Sequence, residues 1–414
     1  MTQSQMITPR KLALILAPLV AITPFAIDTY LPALPEMAQE LDVSLADMGQ
    51  TISVYLIGFA LGQLIGGPMS DRYGRHIMAL SGLSVFIVCA LAITRTSSLE
   101  WLSALRFMQA LAGGFAGVVV AAIVRQHYSG TDSARVFSLI GMIMMIAPLI
   151  APAVGAMILS FWPWRAIFWF LAIYATVMIL LVLRFIAPAE RFSRSQSPEV
   201  DHRESLASHI YQAYAAVLSR RRSFPSLLSQ AFISGILFTY ITNSSFIFMG
   251  YFDVSAQQFP IYFAALVGSS ILSGQLNLKL LSHFTRLSIL RTAVFIQFVL
   301  ASILLALLSV GIDHLAIVTG IMIGVVGCTG LIYSNNFSMY LDYHGDSSGS
   351  ASALFGCSTF AAGALLGSLS GLFDNGTLIP ISTTFVISSA MGSALVWSIG
   401  SEFSNNDRRP SGSV

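Results

Sequence analysis

Residues 48–95 read MGQTISVYLIGFALGQLIGGPMSDRYGRHIMALSGLSVFIVCALAITR. Two apolar runs, 48–69 and 77–95, flank the polar interruption GGPMSDRYGRH, Gly66–His76, which holds Asp71, Arg72, Arg75 and His76. Each run is long enough to cross a hydrocarbon core as a helix, and ionisable groups between two such runs belong at a membrane surface. The pattern recurs outward from this pair. Further apolar blocks at 12–34, 99–124, 134–160, 164–187, 225–249, 259–281, 287–309, 314–340, 351–373 and 379–401 bring the number to twelve.

The chain of 414 residues is 55% hydrophobic and 10% charged, where a soluble domain carries roughly 25% charged residues. An ordinary soluble enzyme is excluded. A large soluble helical core would need helices with polar faces, which most of these blocks lack. Membrane β-strands would show short alternating segments instead. The expected fold is an all-α polytopic membrane protein of twelve transmembrane helices. Arg10 and Lys11 precede an apolar run as in a secretion signal, but Asp28-Thr-Tyr-Leu-Pro follows without a small-residue cleavage site, so the run reads as a retained first span. Cys89, Cys328 and Cys357 lie inside apolar blocks without paired spacing, and read as small buried side chains rather than disulfides or metal ligands.

Lys and Arg set the orientation. With both termini cytoplasmic, 18 of the 21 fall in inside loops; Arg95 and Arg165 fall outside, and Arg106 falls within a span. The first outer loop is acidic, with Glu36, Glu40, Asp42 and Asp47, while the inside loop Asp342–Asp346 is an exception that carries no Lys or Arg. The long polar segment Pro188–Ser223 divides the spans six and six. The expected organisation is a six-helix bundle over 1–187, a cytoplasmic linker over 188–224, a second six-helix bundle over 225–402 and a cytoplasmic tail over 403–414. The run Arg220-Arg221-Arg222 in the linker suits anionic lipid headgroups of the bilayer.

Ionisable groups inside the hydrocarbon are costly and point to function. Two stand out: Asp28 in the first span and Arg106 in the fourth. Asp28 precedes Pro35, where the first helix is expected to end, by seven residues, and Arg106 follows Leu99 by seven. At the helical rise each lies roughly 10 Å below the outer boundary, a depth that lets the two face one another. The functional reading is a proton-coupling pair, in which Asp28 loads and releases a proton and Arg106 tunes its affinity; a fixed ion pair joining two helices is the competing reading. The seven His lie in loops or at span ends, which argues against a buried histidine relay. The cavity residues expected to meet substrate are Tyr30, Tyr55, Phe59, Gln109, Tyr240, Asn243, Gln275 and Asn335. An apolar, aromatic lining with a few polar anchors suits amphipathic organic molecules rather than ions.

The fifth span contains APLIAPAVGA, Ala147–Ala156, where Pro148, Pro152 and Gly155 predict a bent, closely packed helix that seals a leak path. SSGSAS, Ser347–Ser352, reads as the N-cap of the eleventh span. Neither a P-loop nor an HExxH or GxSxG pattern occurs, so the chain is not read as an enzyme and no cofactor or metal is expected.

Two six-helix bundles joined by a cytoplasmic linker are the layout of a major facilitator transporter, and the motifs agree. Gly67-xxx-Asp71-Arg72-x-Gly74-Arg75 resembles the loop signature of that superfamily, Arg106-Phe-Met-Gln109 its fourth-helix motif, and Ala147-Pro148 to Gly155 its antiporter motif. Asp28-Thr-Tyr-Leu-Pro-Ala-Leu-Pro35, GFALGQLIGGP (Gly58–Pro68), WRAIFW (Trp164–Trp169) and GCTGLIYSNN (Gly327–Asn336) together resemble the Bcr/CflA branch of drug:proton antiporters. His76 departs from a usual Arg or Lys, Ala110 from a usual Gly, and LNLKLLSHFTR in the second half retains little of the loop signature.

The resemblance implies export of drugs or other small organic molecules from the bacterial cytoplasm in exchange for protons, across the inner membrane. Protons, small organic substrates and lipid are the expected partners, nucleic acid is not, and the monomer is the expected functional unit. A proton-coupled uptake symporter and a non-transporting membrane sensor or scaffold are the alternatives. In this scheme Gly67, Asp71, Arg72, Gly74, Arg75, Pro148, Pro152 and Gly155 gate, and Asp71 is expected to latch near Ser350 at the start of the eleventh span.

Overall fold

The computed structural model describes residues 8–128, 130–186, 214–344 and 348–399. Among the described residues all regular structure is helical, and twelve spans are long and apolar enough to cross a membrane. The helices are α1 (Pro9–Asp28), α2 (Leu34–Leu41), α3 (Leu45–Tyr73), α4 (Arg75–Ile93), α5 (Leu99–His127), α6 (Gly130–Leu159), α7 (Arg165–Leu181), α8 (Phe224–Ser245), α9 (Phe259–Leu280), α10 (Arg286–Ser309), α11 (Leu315–Asp342), α12 (Ser348–Leu372) and α13 (Ile379–Trp397). One π-helical turn extends α7 over Val182–Ile186 and another extends α8 over Phe246–Tyr251. The expected linker core and C-terminal tail lie outside the described residues.

The chain divides into two compact units, Met1–Val43 with Val54–Tyr211, and Ser44–Ser53 with Gln212–Val414. In the first unit α1 packs along α6, and α4 lies against both α5 and α7. In the second, α8 packs on α12 and α13, α9 on α11, and α10 on α11 and α13.

Local chemistry sets the helix ends. Ser98 Oγ accepts the Trp101 amide at the start of α5, and Thr285 Oγ1 accepts the Ser288 amide at the start of α10. Gly74, at φ 105°, turns the chain between α3 and α4 in a conformation that a side chain would strain.

The first span departs from expectation. Pro35 does not end it; α1 closes at Asp28, where the Thr29 amide still bonds the Phe25 carbonyl at 3.2 Å. A 3₁₀ turn over Leu31–Ala33 then leads into α2, where Pro35 occupies the first turn, a position that needs no backbone donor. Helix α2 ends at Asp42 in the left-handed region, φ 54°. Asp28 therefore sits at a break between two helices rather than inside one.

A buried cluster at the break in the first span

Asp28 is 3% exposed, and its Oδ1 is buried with no hydrogen-bond partner. Arg106, two turns into α5, is fully buried. Its Nη2 donates to the Ala26 carbonyl at 3.0 Å, and its Nη1 donates to Gln109 Oε1 at 2.9 Å. Gln109 stands three residues further along α5, on the same helical face. The guanidinium carbon lies 4.2 Å from the centre of the Tyr55 ring and 4.4 Å from that of Tyr30. Such cation–π contacts contribute about 2 kcal/mol when desolvated. Arg106 is thus held by a carbonyl, an amide and two ring faces, and no hydrogen bond or ion pair joins it to Asp28.

Tyr55 and Phe59 lie one helical turn apart on α3, and both are buried. Gly113 of α5 faces the Tyr55 phenol, and a Cβ there would lie 3.6 Å from Tyr55 Oη, an ordinary contact. From the other side, α6 presses on the break itself. A Cβ on Gly155 would stand 1.8 Å from the Thr29 carbonyl oxygen, which fixes the backbone beside Asp28 against α6. Pro148 and Pro152 lie inside α6, which runs through both as one helix.

Buried polar atoms are ordinarily satisfied. Here Asp28 Oδ1, Thr29 Oγ1, Arg106 Nε and Gln109 Nε2 are all buried without a hydrogen-bond partner. The first unit thus buries an acid, a fixed cation and several unsatisfied polar atoms in its interior.

In the second unit Tyr240 is buried and stacks on Phe263, with ring centres 5.7 Å apart. Asn243 Nδ2 donates to the Thr239 carbonyl at 2.7 Å and to Ser370 Oγ at 2.8 Å. Asn335 Nδ2 donates to Asn277 Oδ1 at 2.7 Å and to the Leu331 carbonyl, while its own Oδ1 stays buried and unpartnered. Gln275 is exposed on α9 beside Leu276, two residues from buried Asn277.

At the turn between α3 and α4, Arg72 and Arg75 are half-buried, whereas the Asp71 side chain lies outside the described residues, as does Ser347 of the expected cap. Gly67 makes only ordinary contact: a Cβ there would lie 3.6 Å from Val118 Cγ1. The tight approach to α5 comes earlier on α3: a Cβ on Gly58 would stand 2.4 Å from the Phe107 carbonyl oxygen, and one on Gly62 2.2 Å from that of Leu111.

Sequence reasoning missed two features. Glu40 receives Arg165 Nη1 at 2.7 Å and Trp164 Nε1 at 2.5 Å, while Arg165 Nε also donates to the Thr94 carbonyl at 3.1 Å. This ties α2 to the start of α7 and the end of α4; the acidic loop and WRAIFW were both visible, but not their pairing. His344, just beyond α11, is fully buried against Tyr340, with ring centres 4.7 Å apart and neither ring nitrogen hydrogen-bonded. Its position at a span end gave no sign of burial. Cys89, Cys328 and Cys357 are free, and no metal-binding group occurs among the described residues.

A twelve-helix membrane fold with a buried acid and a caged guanidinium defines a polytopic transporter rather than an enzyme. The Major Facilitator Superfamily model matches residues 16–368, and the chain belongs to that superfamily, in its Bcr/CflA branch. The "Bicyclomycin resistance protein homolog" of Haemophilus influenzae is 30% identical over 380 residues, 91% of this chain and 92% of that protein. The uncharacterized MFS-type transporter YdgK of Bacillus subtilis is 28% identical over 397 residues, 94% and 96% of the two chains. The multidrug resistance protein MdtL of Shigella flexneri is 34% identical over 230 residues, 55% and 53% of the two. Among solved structures, a D-xylose-proton symporter shares the fold with a TM-score of 0.70 at 13% identity, covering 94% of this chain and 97% of that one. The nucleoside transporter NupG does so with a TM-score of 0.70 at 16% identity, covering 94% and 98%.

Proposed function

We propose that this transporter is a proton-coupled antiporter that exports drugs or other small amphipathic organic molecules from the bacterial cytoplasm by alternating access. Asp28 is the proton carrier. The observation that carries this reading is the buried, unpartnered Asp28 carboxylate oxygen, which Arg106 leaves unpaired because it is engaged by the Ala26 carbonyl and Gln109. An ionised carboxylate there bears the cost of an uncompensated buried charge, which a bound proton removes. Tyr30, Tyr55 and Gln109 contact Arg106, and Phe59 lies one turn from Tyr55; these are the aromatic and amide groups that would meet substrate in the first unit. Bicyclomycin resistance and multidrug resistance, named for two relatives, support export over uptake. The distribution of Lys and Arg supports an inner-membrane orientation with both termini cytoplasmic, and the monomer is the proposed functional unit.

The test is expression in a pump-deficient bacterium against bicyclomycin and a mixed panel of amphipathic drugs, followed by reconstitution. Resistance that a protonophore abolishes is the expected result. In proteoliposomes, Asp28→Asn should insert and fold normally yet fail to drive uphill transport on a pH gradient. Uphill transport by that variant removes Asp28 from the coupling role. Substrate accumulation inside cells would establish uptake instead, and absence of flux with every compound would favour a sensor.

A further inference from the structure

The N-terminal turns of α10 and the end of α13 enclose a cavity of about 390 Å³ lined by Thr285, Ser288, Arg291, Thr292, Phe295 and Trp397. Among the described residues its polar lining is one guanidinium and three hydroxyls, and no carboxylate contributes. Arg291 is fixed in place. Its Nη2 donates to the Ile399 carbonyl at 2.9 Å, its guanidinium carbon lies 4.9 Å from the centre of a Trp397 ring, and its Nε is buried with no acceptor.

Arg286, one turn earlier, differs. It is paired with Asp342 at 2.9 Å and donates to Ser338 Oγ at 2.8 Å. Among the described residues Arg291 has no carboxylate to neutralise it, so the cavity they form is complementary to an anion. A second cavity, of about 510 Å³ and lined by Ser282, His283 and Arg286, shares Thr285 and Ser288 with the first and widens the polar side.

The other side is apolar. Phe295 opens an exposed stripe on α10 that continues through Ile296, Val299 and Ile303 at helical spacing. Trp397, 58% exposed, stands beside it, as tryptophans do at the boundary between headgroups and acyl chains. An occupant that satisfies both sides has an anionic head and a long apolar body. We propose that this cavity is a binding site for an anionic phospholipid, its phosphate held by Arg291 and the hydroxyls of Thr285, Ser288 and Thr292, and one acyl chain lying along the α10 stripe. The site is independent of the proton-coupling cluster and of the direction of transport.

Trp397 serves as the reporter. The full-length protein is reconstituted in phosphatidylcholine vesicles containing brominated phosphatidylglycerol or brominated phosphatidylcholine, and the Trp397 signal is taken as the difference from Trp397→Phe. Brominated phosphatidylglycerol should quench that signal at a severalfold lower mole fraction. Arg291→Gln should lower the preference about fivefold, as expected for one basic group at a membrane surface. Because that variant also breaks the bond to Ile399, a Ser288→Ala/Thr292→Ala variant provides a second arm; both side chains are exposed, so it should weaken the preference with the unfolding temperature unchanged. Equal quenching by the two lipids overturns the proposal. So does loss of the preference on adding inorganic phosphate, which would assign the cavity to a free anion.

Discussion

Arg106 donates to the carbonyl of Ala26, two residues before Asp28, and leaves the Asp28 carboxylate without a partner. The guanidinium is thereby anchored to the backbone at the foot of the break in the first span. Ala26 and Asp28 are near one another along α1, but the carbonyl of the first holds the guanidinium and the carboxylate of the second does not. A direct ion pair would have bound them in one state.

Arg106→Lys should lower transport about tenfold or more with the protein still folded. A compact ammonium lacks the planar fork by which Nη1 and Nη2 reach Gln109 Oε1 and the Ala26 carbonyl from one plane between two rings, and losing one charged hydrogen bond costs about 1.5–3 kcal/mol. Initial rates in proteoliposomes, with and without a pH gradient, measure the effect. Wild-type rates in the variant would show that the fork geometry is dispensable.

Gly155→Ala should destabilise the protein by about 1–3 kcal/mol, the cost of overpacking a tight contact, because its Cβ would meet the Thr29 carbonyl at 1.8 Å. Gly141→Ala on the same helix meets nothing within 4 Å and should be neutral or slightly stabilising. Thermal unfolding in detergent compares the pair. Transport should fall in the first variant alone, since Thr29 adjoins Asp28.

His344 predicts a pH dependence of stability. Burial, and then the nearby Arg220 guanidinium, hold its imidazole below the usual histidine range. Above about pH 6.5 neither the folded nor the unfolded state binds a proton there, and its contribution is constant. As the pH falls below that value the unfolded chain takes up the proton first, so stability declines until the lowered folded value is reached. Unfolding temperatures between pH 5 and 8 should show a shallower acid decline for His344→Phe than for the wild type.

Asn335→Ala should cost about 1–3 kcal/mol, because it leaves Asn277 Oδ1 buried without its donor. The double variant Asn277→Leu/Asn335→Ala removes both polar partners and should recover part of that loss. Unfolding measurements on the three proteins form a thermodynamic cycle, and strictly additive losses would mean the two amides do not interact.

The twelve spans were legible because hydropathy is a local property: a block of apolar residues crosses a bilayer whatever its neighbours are. Asp28 and Arg106 stood out for the same reason, as charges where the composition forbids them. Gly74 was also readable as a turn residue, since the chain reverses between two apolar runs. Partners were not readable. The sequence placed Asp28 and Arg106 at equal depth, but which acceptors an arginine takes depends on the distances between helices. Those distances gave Arg106 to Ala26, Gln109 and two tyrosine rings. Packing likewise buried His344 and left Gln275 exposed, although both are polar residues near the ends of apolar helices. The break after Asp28 was equally hidden, because Pro35 is compatible with either the end or the start of a helix. Composition along the chain thus determined that this protein crosses a membrane twelve times and where its rare charges lie. Only the packing of helices decided which polar atoms are satisfied and which stay buried without a partner.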